Sequence, residues 1–480
     1  MKVFKYIYVS GTAVLLLTMT GCSAPKELQH PRVEQDALPT AFRLTHEELA
    51  TDSLSNLAEL PYQQFFQDAY LIGLIDTALA HNNNMLVAVK QIEIAQETVK
   101  QMKWGYLPTV DLAVGAANIN RPSNNSMNGM MASQFMGKRY MEDYSTTLSV
   151  SWEADIWGKI KERNAMALAG YLETQEAVNA VRTSLIANVA QGYYMLLLLD
   201  QQTQVSQQNL AIIDSTLNIT KVQQRLGLTT SLAIKQLENN RDNLLKSIRI
   251  IEENKAVQEN AMSALLGRMP QELKNRGSLL NMQEVQVFGT GVPAELLSRR
   301  PDIKQAELTL TRSVSEIKVA RANMYPSLRI TAQGGLNAFK SSNWFSIPGS
   351  LFGTVAGSLT QPILQGRQLK TAYNQATIRS EQAELRYKES MLQAVTEVST
   401  ILEQLASLQE QQQVNELLVD RNRVLLKDAN ILFKNDMASY LDVLAAQQVK
   451  LQAELDQISV KSRLLQTQVA LYRALGGGVI

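Results

Sequence analysis

The chain has 480 residues, of which 45% are hydrophobic and 19% charged, and its 46 Lys and Arg residues nearly balance its 45 Asp and Glu residues. This composition excludes a disordered chain and a basic nucleic-acid-binding protein. Aromatic residues make up only 6%, and 24 Gly with 12 Pro residues are few for a compact α/β enzyme of this length. The composition therefore favours helix.

Residues suited to catalysis or to a resident metal are scarce. The three histidines, His30, His46 and His81, share no metal-ligand spacing. The only cysteine is Cys22, which excludes an internal disulfide and a Cys–His nucleophile pair. We therefore expect neither an enzyme nor a cofactor.

The first 21 residues have the pattern of a signal peptide. Lys2 and Lys5 precede an apolar stretch, and Gly21 and Cys22 follow it. Residues 19–22 resemble a bacterial lipobox, in which Cys22 is lipidated and becomes the mature N-terminus. The alternative is an ordinary secretory signal with a chance cysteine. After residue 22, no uninterrupted apolar run approaches the roughly 18 residues of a spanning helix.

Long stretches without helix breakers predict long helices. Neither Gly nor Pro occurs from Arg367 to Leu475, and no Pro lies between Pro122 and Pro270. Apolar residues recur at steps of three or four in both stretches, as in coiled coils. We predict helices over 159–226 and 367–435, each about 100 Å long. Shorter helices are predicted end to end beside them, 81–104 with 231–266 and 300–322 with 440–475.

Three anchor sequences occur twice and indicate an internal repeat. Leu107–Leu112 matches Tyr325–Ile330, Asp155–Lys159 matches Ile363–Arg367, and Ala264–Gly267 matches Arg473–Gly476. The second half has fewer residues between its first two anchors, in the loop between two predicted strands. The predicted organisation is a signal peptide (1–21), an extended N-terminal segment (22–68), a first repeat (69–287, with β-hairpin 106–156 and helical hairpin 158–267), a second repeat (288–476, with β-hairpin 325–364 and helical hairpin 366–475) and a tail (477–480).

Four segments with partial polar–apolar alternation predict strands, at 106–118, 146–156, 325–337 and 354–364. Each is about eleven to thirteen residues long, and a tilted strand needs about ten residues to cross a bilayer. Trp104, Tyr106 and Trp157 lie in or beside them, which is typical of interfacial aromatic residues. A soluble sheet packed on helices is the alternative.

Four strands cannot close a barrel, and an open edge in lipid leaves backbone groups unsatisfied. We therefore expect a mainly α chain with a small membrane β part, whose strands are pooled between copies. A dimer would give eight strands and a trimer twelve, and only the larger barrel leaves a water-filled lumen. The trimer is therefore preferred, with a twelve-stranded β-barrel continued by long helices.

Several motifs resemble one known family. Residues 296–307 (LLSRRPDIKQAE), 152–159 (WEADIWGK) and 361–366 (QPILQG), together with the lipobox at Cys22, look like the TolC superfamily of outer-membrane efflux proteins, in its lipidated OprM/NodT branch. The resemblance covers about residues 60–476. It implies a homotrimer with an outer-membrane barrel and a periplasmic α-helical barrel. Such a protein is the passive exit duct of a tripartite efflux pump, joined by a periplasmic adaptor to an inner-membrane transporter, here expected to be of the RND type.

The resemblance also implies two kinds of site. The adaptor would contact the tips of the helical hairpins, at Leu226, Gly227, Leu228 and Thr229 and at Asp436 and Met437. Ordinary helix turns with good caps are the alternative. Leu441 and Asp442 resemble the segment that narrows the resting duct, with Ala445 where the family often has another carboxylate. A solvated surface aspartate is the alternative.

Two further functions stay open as alternatives. A structural coiled-coil lipoprotein could tether the envelope without conducting. A cluster of methionines in the first hairpin loop could bind Cu(I) through thioethers, which would indicate copper export; its members are Met127, Met130, Met131, Met136 and Met141.

Overall fold

A computed structural model of the chain describes residues 60–284, 299–435 and 437–478. The predicted signal peptide, the lipidation site at Cys22 and the tip residue Asp436 lie outside the described residues. Within the described residues, no helix is both long and apolar enough to cross a bilayer.

The described chain contains two series of helices and strands, which share the order helix, two strands, long helix and shorter helix. The first series contains α1 (Tyr62–Phe65), α2 (Ala69–His81), α3 (Asn83–Trp104), β1 (Thr109–Asn120), α4 (Met127–Gln134), β2 (Met141–Glu153), α5 (Lys159–Arg225) and α6 (Ser231–Leu265). The second series contains α7 (Pro301–Ala322), β3 (Ser327–Ala338), β4 (Leu351–Thr360), α8 (Gln368–Lys434) and α9 (Tyr440–Ala474). The two long helices, predicted from a stretch without Pro in the first repeat and a stretch without Gly or Pro in the second, are therefore confirmed.

Each long helix has two shorter helices beside it. Helices α3 and α6 pack on α5, and α7 and α9 pack on α8. The short helices of each pair meet end to end: the Asn82 side-chain amide donates to the carbonyl of Leu265 at 2.9 Å, and the Arg300 guanidinium donates to the carbonyl of Ala474 at 2.9 Å. Helices α7 and α9 also pack on α5, so the two repeats share one wall of helices.

The main hydrophobic core lies where the middle of α5 meets the end of α9 and the segment before α2. Phe65 stacks on Tyr472 with ring centroids 4.3 Å apart, and Tyr193 donates to Asp68, which caps α2. Gly192 allows close approach of α6, because a Cβ there would lie 2.5 Å from the sulfur of Met262. Apolar residues from the three- and four-residue pattern of α5, such as Val189 and Leu196, are buried here.

The strands form one antiparallel sheet in the order β1-β2-β3-β4. Strands β1 and β4 therefore have open edges within the described chain. The predicted strands extended too far towards the helices, because β1 and β3 begin after Pro108 and Pro326 and β2 ends before Asp155. The Asp155 carboxylate instead accepts from the backbone N–H groups of Ile160 and Lys161, at 2.8 and 2.9 Å, and caps α5.

The sequence alignment of the two repeats is wrong by one residue at the second anchor. It paired Gly158 with Gly366, whereas the residues that start the long helices are Gly158 and Arg367, both with left-handed backbone. Gly366 is a second left-handed residue, so the second repeat uses one more residue in this turn. The shorter loop predicted for the second repeat is confirmed, since the loop between β1 and β2 spans residues 121–140, whereas that between β3 and β4 spans residues 339–350.

Candidate functional site on the sheet, the helix tips and α9

The sheet has one apolar and one polar face. Val110, Val150, Ala332 and Val355 pair in one row across all four strands. The adjacent row consists of polar residues, namely Asp111, Ser149, Gln333 and Thr354. Because successive side chains of a strand point to opposite faces, the sheet separates an apolar side from a polar side along its whole width. Such a sheet can face lipid on one side and water on the other.

Aromatic residues lie at both ends of the sheet. At the end next to the helices, the predicted residues Trp104, Tyr106 and Trp157 are all exposed. Trp157 stacks on Tyr325 with centroids 4.7 Å apart, and its indole N–H donates to the carbonyl of Pro326 at 2.7 Å. At the other end, the ring of Trp344 packs against Tyr144 and Phe345. This arrangement is typical of strands that end at the two interfaces of a bilayer.

The first helix tip ends in a Schellman motif. The N–H of Leu228 donates to the carbonyl of Gln223 at 2.9 Å, and that of Gly227 donates to Gln224 at 3.0 Å. Gly227 has φ of 77°, a left-handed conformation that favours glycine. The turn therefore holds Leu226 and Leu228 exposed at the end of the hairpin, with Thr229 half-buried.

The second tip also closes with a backbone hydrogen bond, from the N–H of Met437 to the carbonyl of Leu432 at 2.9 Å. The Met437 side chain is exposed. The phenol of Tyr440 donates to the side-chain carbonyl of Gln236 on α6, which joins the second tip to the first hairpin. Both tips thus present large apolar side chains to solvent within the described chain.

Asp442 forms a capping box at the start of α9. Its carboxylate accepts from the N–H of Ser439 at 2.8 Å and from the hydroxyl of the same residue at 2.7 Å. These hydrogen bonds hold the pKa of Asp442 below its usual value, so the group stays ionised. Leu441 and Asp442 are exposed, whereas Val443 is fully buried against the hairpin core with Phe433. The predicted constriction residues therefore lie on the face of α9 that points away from this core.

A buried polar cluster between α5 and α9 was missed by the sequence analysis. Lys450 pairs with Glu454 at 2.8 Å, Asn209 donates to the same carboxylate at 3.4 Å, and Gln447 donates to Thr216 at 2.8 Å. The sequence did contain a signal for this cluster, because residues 447, 450 and 454 continue the three- and four-residue spacing of the buried positions of α9. Their polarity made them look like surface residues.

No group of three or more His, Cys, Asp or Glu side chains is placed to hold a metal ion within residues 60–284, 299–435 and 437–478. The three exposed methionines of α4, Met127, Met130 and Met131, are spaced to share one side of the helix.

Comparison with known proteins agrees with this architecture. The Outer membrane efflux protein family matches residues 74–268 and 292–477. The toluene efflux pump outer membrane protein TtgF of Pseudomonas putida is 28% identical over 468 residues, which cover 97% of this chain and 95% of that protein. The cation efflux system protein CusC of Escherichia coli is 25% identical over 466 residues, covering 96% and 97%.

The fold is also that of solved channels. The open-state structure of the Neisseria gonorrhoeae MtrE outer membrane channel superposes with a TM-score of 0.79 at 24% identity, covering 95% of this chain and 99% of that one. The resemblance seen in the sequence motifs is thereby confirmed, and efflux is favoured over a structural tether. The chain belongs to the outer membrane efflux protein family and is the outer-membrane channel component of an efflux pump.

Proposed function

We propose that three copies of this chain form one passive exit duct, with a shared twelve-stranded barrel in the outer membrane and a helical barrel that extends into the periplasm. The observation that carries this proposal is the sheet with two open edges and one apolar face. Lipid cannot hydrogen-bond the free backbone groups of β1 and β4. Pairing β4 of each copy with β1 of the next satisfies both edges.

The helices support the same assembly. Ile378, Leu385 and Leu392 are exposed on α8 at seven-residue intervals, the spacing of a coiled-coil seam. At the matching positions of α5, Ala169 and Thr183 are buried and Glu176 is half-buried. A helix from a neighbouring copy would cover the stripe on α8.

The partners follow from the two ends of the duct. The exposed apolar residues of the tips, Leu226, Leu228 and Met437, suit contact with a periplasmic adaptor that links the duct to an inner-membrane transporter of the RND type. Lipidation of Cys22 would anchor the chain to the outer membrane. The transporter supplies the energy, so the duct needs no catalytic group.

The assembly is tested with the full-length protein purified in detergent. Light scattering should give the mass of three chains, and reconstituted protein should conduct ions in planar bilayers. A monomer without conductance would contradict the proposal. Cys22→Ser should lose acylation in a mass spectrum while the trimer persists.

At the periplasmic end, threefold symmetry would repeat Leu441 as an apolar ring and Asp442 as a ring of carboxylates that favours cations. Because Asp442 also caps α9, the test needs two variants. Asp442→Asn keeps a hydrogen-bond acceptor and removes the charge, whereas Asp442→Ala removes both. We expect Asp442→Asn to lower cation selectivity without changing how often the channel opens, and Asp442→Ala also to increase leakage. Unchanged selectivity in both would remove Asp442 from the constriction.

A second candidate, export of soft cations such as Cu(I), is supported by the exposed methionines Met127, Met130 and Met131 of α4 and by the similarity to a cation efflux protein. Replacing all three with Leu keeps their size and apolar character. The candidate requires that this variant lose Cu(I) binding in a chelator competition, with Met269→Leu at another exposed position as the control. Equal binding by both variants would exclude the loop as a copper site.

A further inference from the structure

The two hairpins are duplicates, so their residues can be matched through their strand pairing. Pro108 and Pro326 precede β1 and β3 at equivalent positions, and Val110 and Leu328 each follow two residues later. Val110 pairs with Val150 in the first hairpin, and Leu328 pairs with Leu359 in the second. Val150 and Leu359 are therefore equivalent.

The junction between the hairpins shows how one repeat pairs with the next. Within the chain, Val150 of β2 pairs with Ala332 of β3. Ala332 lies six residues after Pro326, so its equivalent after Pro108 is Val114. The matching pair, Leu359 and Val114, lies on the two open edges of the sheet, where these side chains are 69% and 62% exposed.

We propose that β4 of one copy pairs with β1 of the next copy in the register that places Leu359 opposite Val114. This inference rests on the proposed trimer, and it adds which residues meet. The two strands run antiparallel, because each of the three pairings inside the sheet is antiparallel. Both residues lie on the apolar face, so the face continues unbroken from copy to copy. A slip of one residue would place apolar side chains on the polar side.

The turn after each hairpin supports the same neighbour. After β2, Trp157 packs on Tyr325 at the start of β3. The equivalent turn after β4 contains Ile363 and Leu364, which are 92% and 91% exposed, and nothing in the described chain covers them. The equivalent of Tyr325 is Leu107, which is also exposed. In the proposed register, Leu107 of the next copy falls opposite Gly366, at the end of the turn that contains Ile363 and Leu364.

The register is tested by disulfide formation in the full-length protein with Leu359→Cys and Val114→Cys together. Directly opposed residues have Cα atoms about 4.5–5.5 Å apart, within disulfide range, whereas the next residues on the same face are about 7–8 Å away. A bond inside one copy is excluded, because two strands separate β1 from β4 at about 4.8 Å per step. Cys22 is the only native cysteine, so background bonding is low.

We expect covalent trimers on a non-reducing gel, at least about tenfold more than with Leu359→Cys and Leu112→Cys, which is the two-residue slip on the same face. Leu359→Cys with Ala113→Cys tests the slip to the other face. If either control bonds better, or none of the three pairs bonds although the reduced protein is trimeric by light scattering, the register is wrong and the trimer stands. If the unmodified protein is monomeric, the proposed trimer itself fails.

Discussion

The two repeats of the chain share a helix, a β-hairpin, a long helix and a second shorter helix, but these elements have different neighbours. The turn after the first hairpin packs on the second repeat, so Trp157 stacks on Tyr325. The turn after the second hairpin leaves Ile363 and Leu364 exposed. The long helices differ in the same way, because Ala169 and Thr183 are buried on α5, whereas their counterparts on α8, Ile378 and Leu392, are exposed. The difference indicates which surfaces of the second repeat another copy has to cover.

The helix junctions of the two repeats differ in chemistry. Asn82 joins the first junction with a neutral amide, whereas Arg300 is nearly buried and pairs with Glu397 at 2.8 Å and with Asp302 at 2.8 Å. Arg300→Ala should cost about 3 kcal/mol of stability, because it leaves Glu397 without this partner and the carbonyl of Ala474 without its donor. Asn82→Ala should cost about 1 kcal/mol. Thermal unfolding of the purified protein measures the stability of both variants. Equal losses of stability would contradict the proposed difference between the two junctions.

The next largest effect should distinguish the two faces of the sheet. Val355→Arg places a charge on the apolar face and should cost about 2 kcal/mol in the bilayer. Thr354→Arg, one residue away on the polar face, should be close to neutral. The yield of assembled protein in the outer membrane and its unfolding in lipid provide the measurement. Similar behaviour of the two variants would mean that the apolar face does not meet lipid.

The exposed turn of the second repeat should matter for assembly. Ile363→Ser with Leu364→Ser should weaken the trimer by about 1 kcal/mol per side chain, since each loses apolar surface that a neighbour would bury. The temperature at which trimers dissociate in detergent measures the effect. The matched control is Met269→Ser, which changes a highly exposed apolar residue elsewhere in the chain. A trimer unaffected by the double change would show that this turn stays in solvent.

The smallest effect concerns acid stability at the second junction. Burial opposes ionisation of Asp302, but hydrogen bonds from Arg300 outweigh it and hold the pKa of Asp302 below its ordinary value of 3.8. Asp302 therefore contributes stability above pH 3.8 that is lost as the pH falls through the lower, folded-state pKa. Asp302→Asn should flatten the acid limb of the unfolding temperature against pH. If the unfolding temperature of this variant falls with acid as it does in the unmodified protein, other carboxylates cause the loss of stability.

Most elements could be predicted from the sequence. Helices α5 and α8 follow from residues 159–225 and 368–434, which have apolar residues at steps of three or four and no proline. The ends of the strands could not be predicted, because Asp155 continues the alternation of β2 and yet caps α5. The second role of Asp442 was also missed, although Ser439 and Asp442 have the three-residue spacing of a capping box before an apolar stretch.

The sequence by itself determined the helices, the duplication and the alternating strands, because these depend on residues close together in the chain. Only the tertiary structure decided which apolar residues are buried within one chain and which stay exposed, where another copy can contact them. Arg300 and Ala474 are 174 positions apart, and Asn82 and Leu265 are 183 apart. Contacts over such separations form only when the two shorter helices beside each long helix pack on it and meet end to end, so no local pattern specifies them.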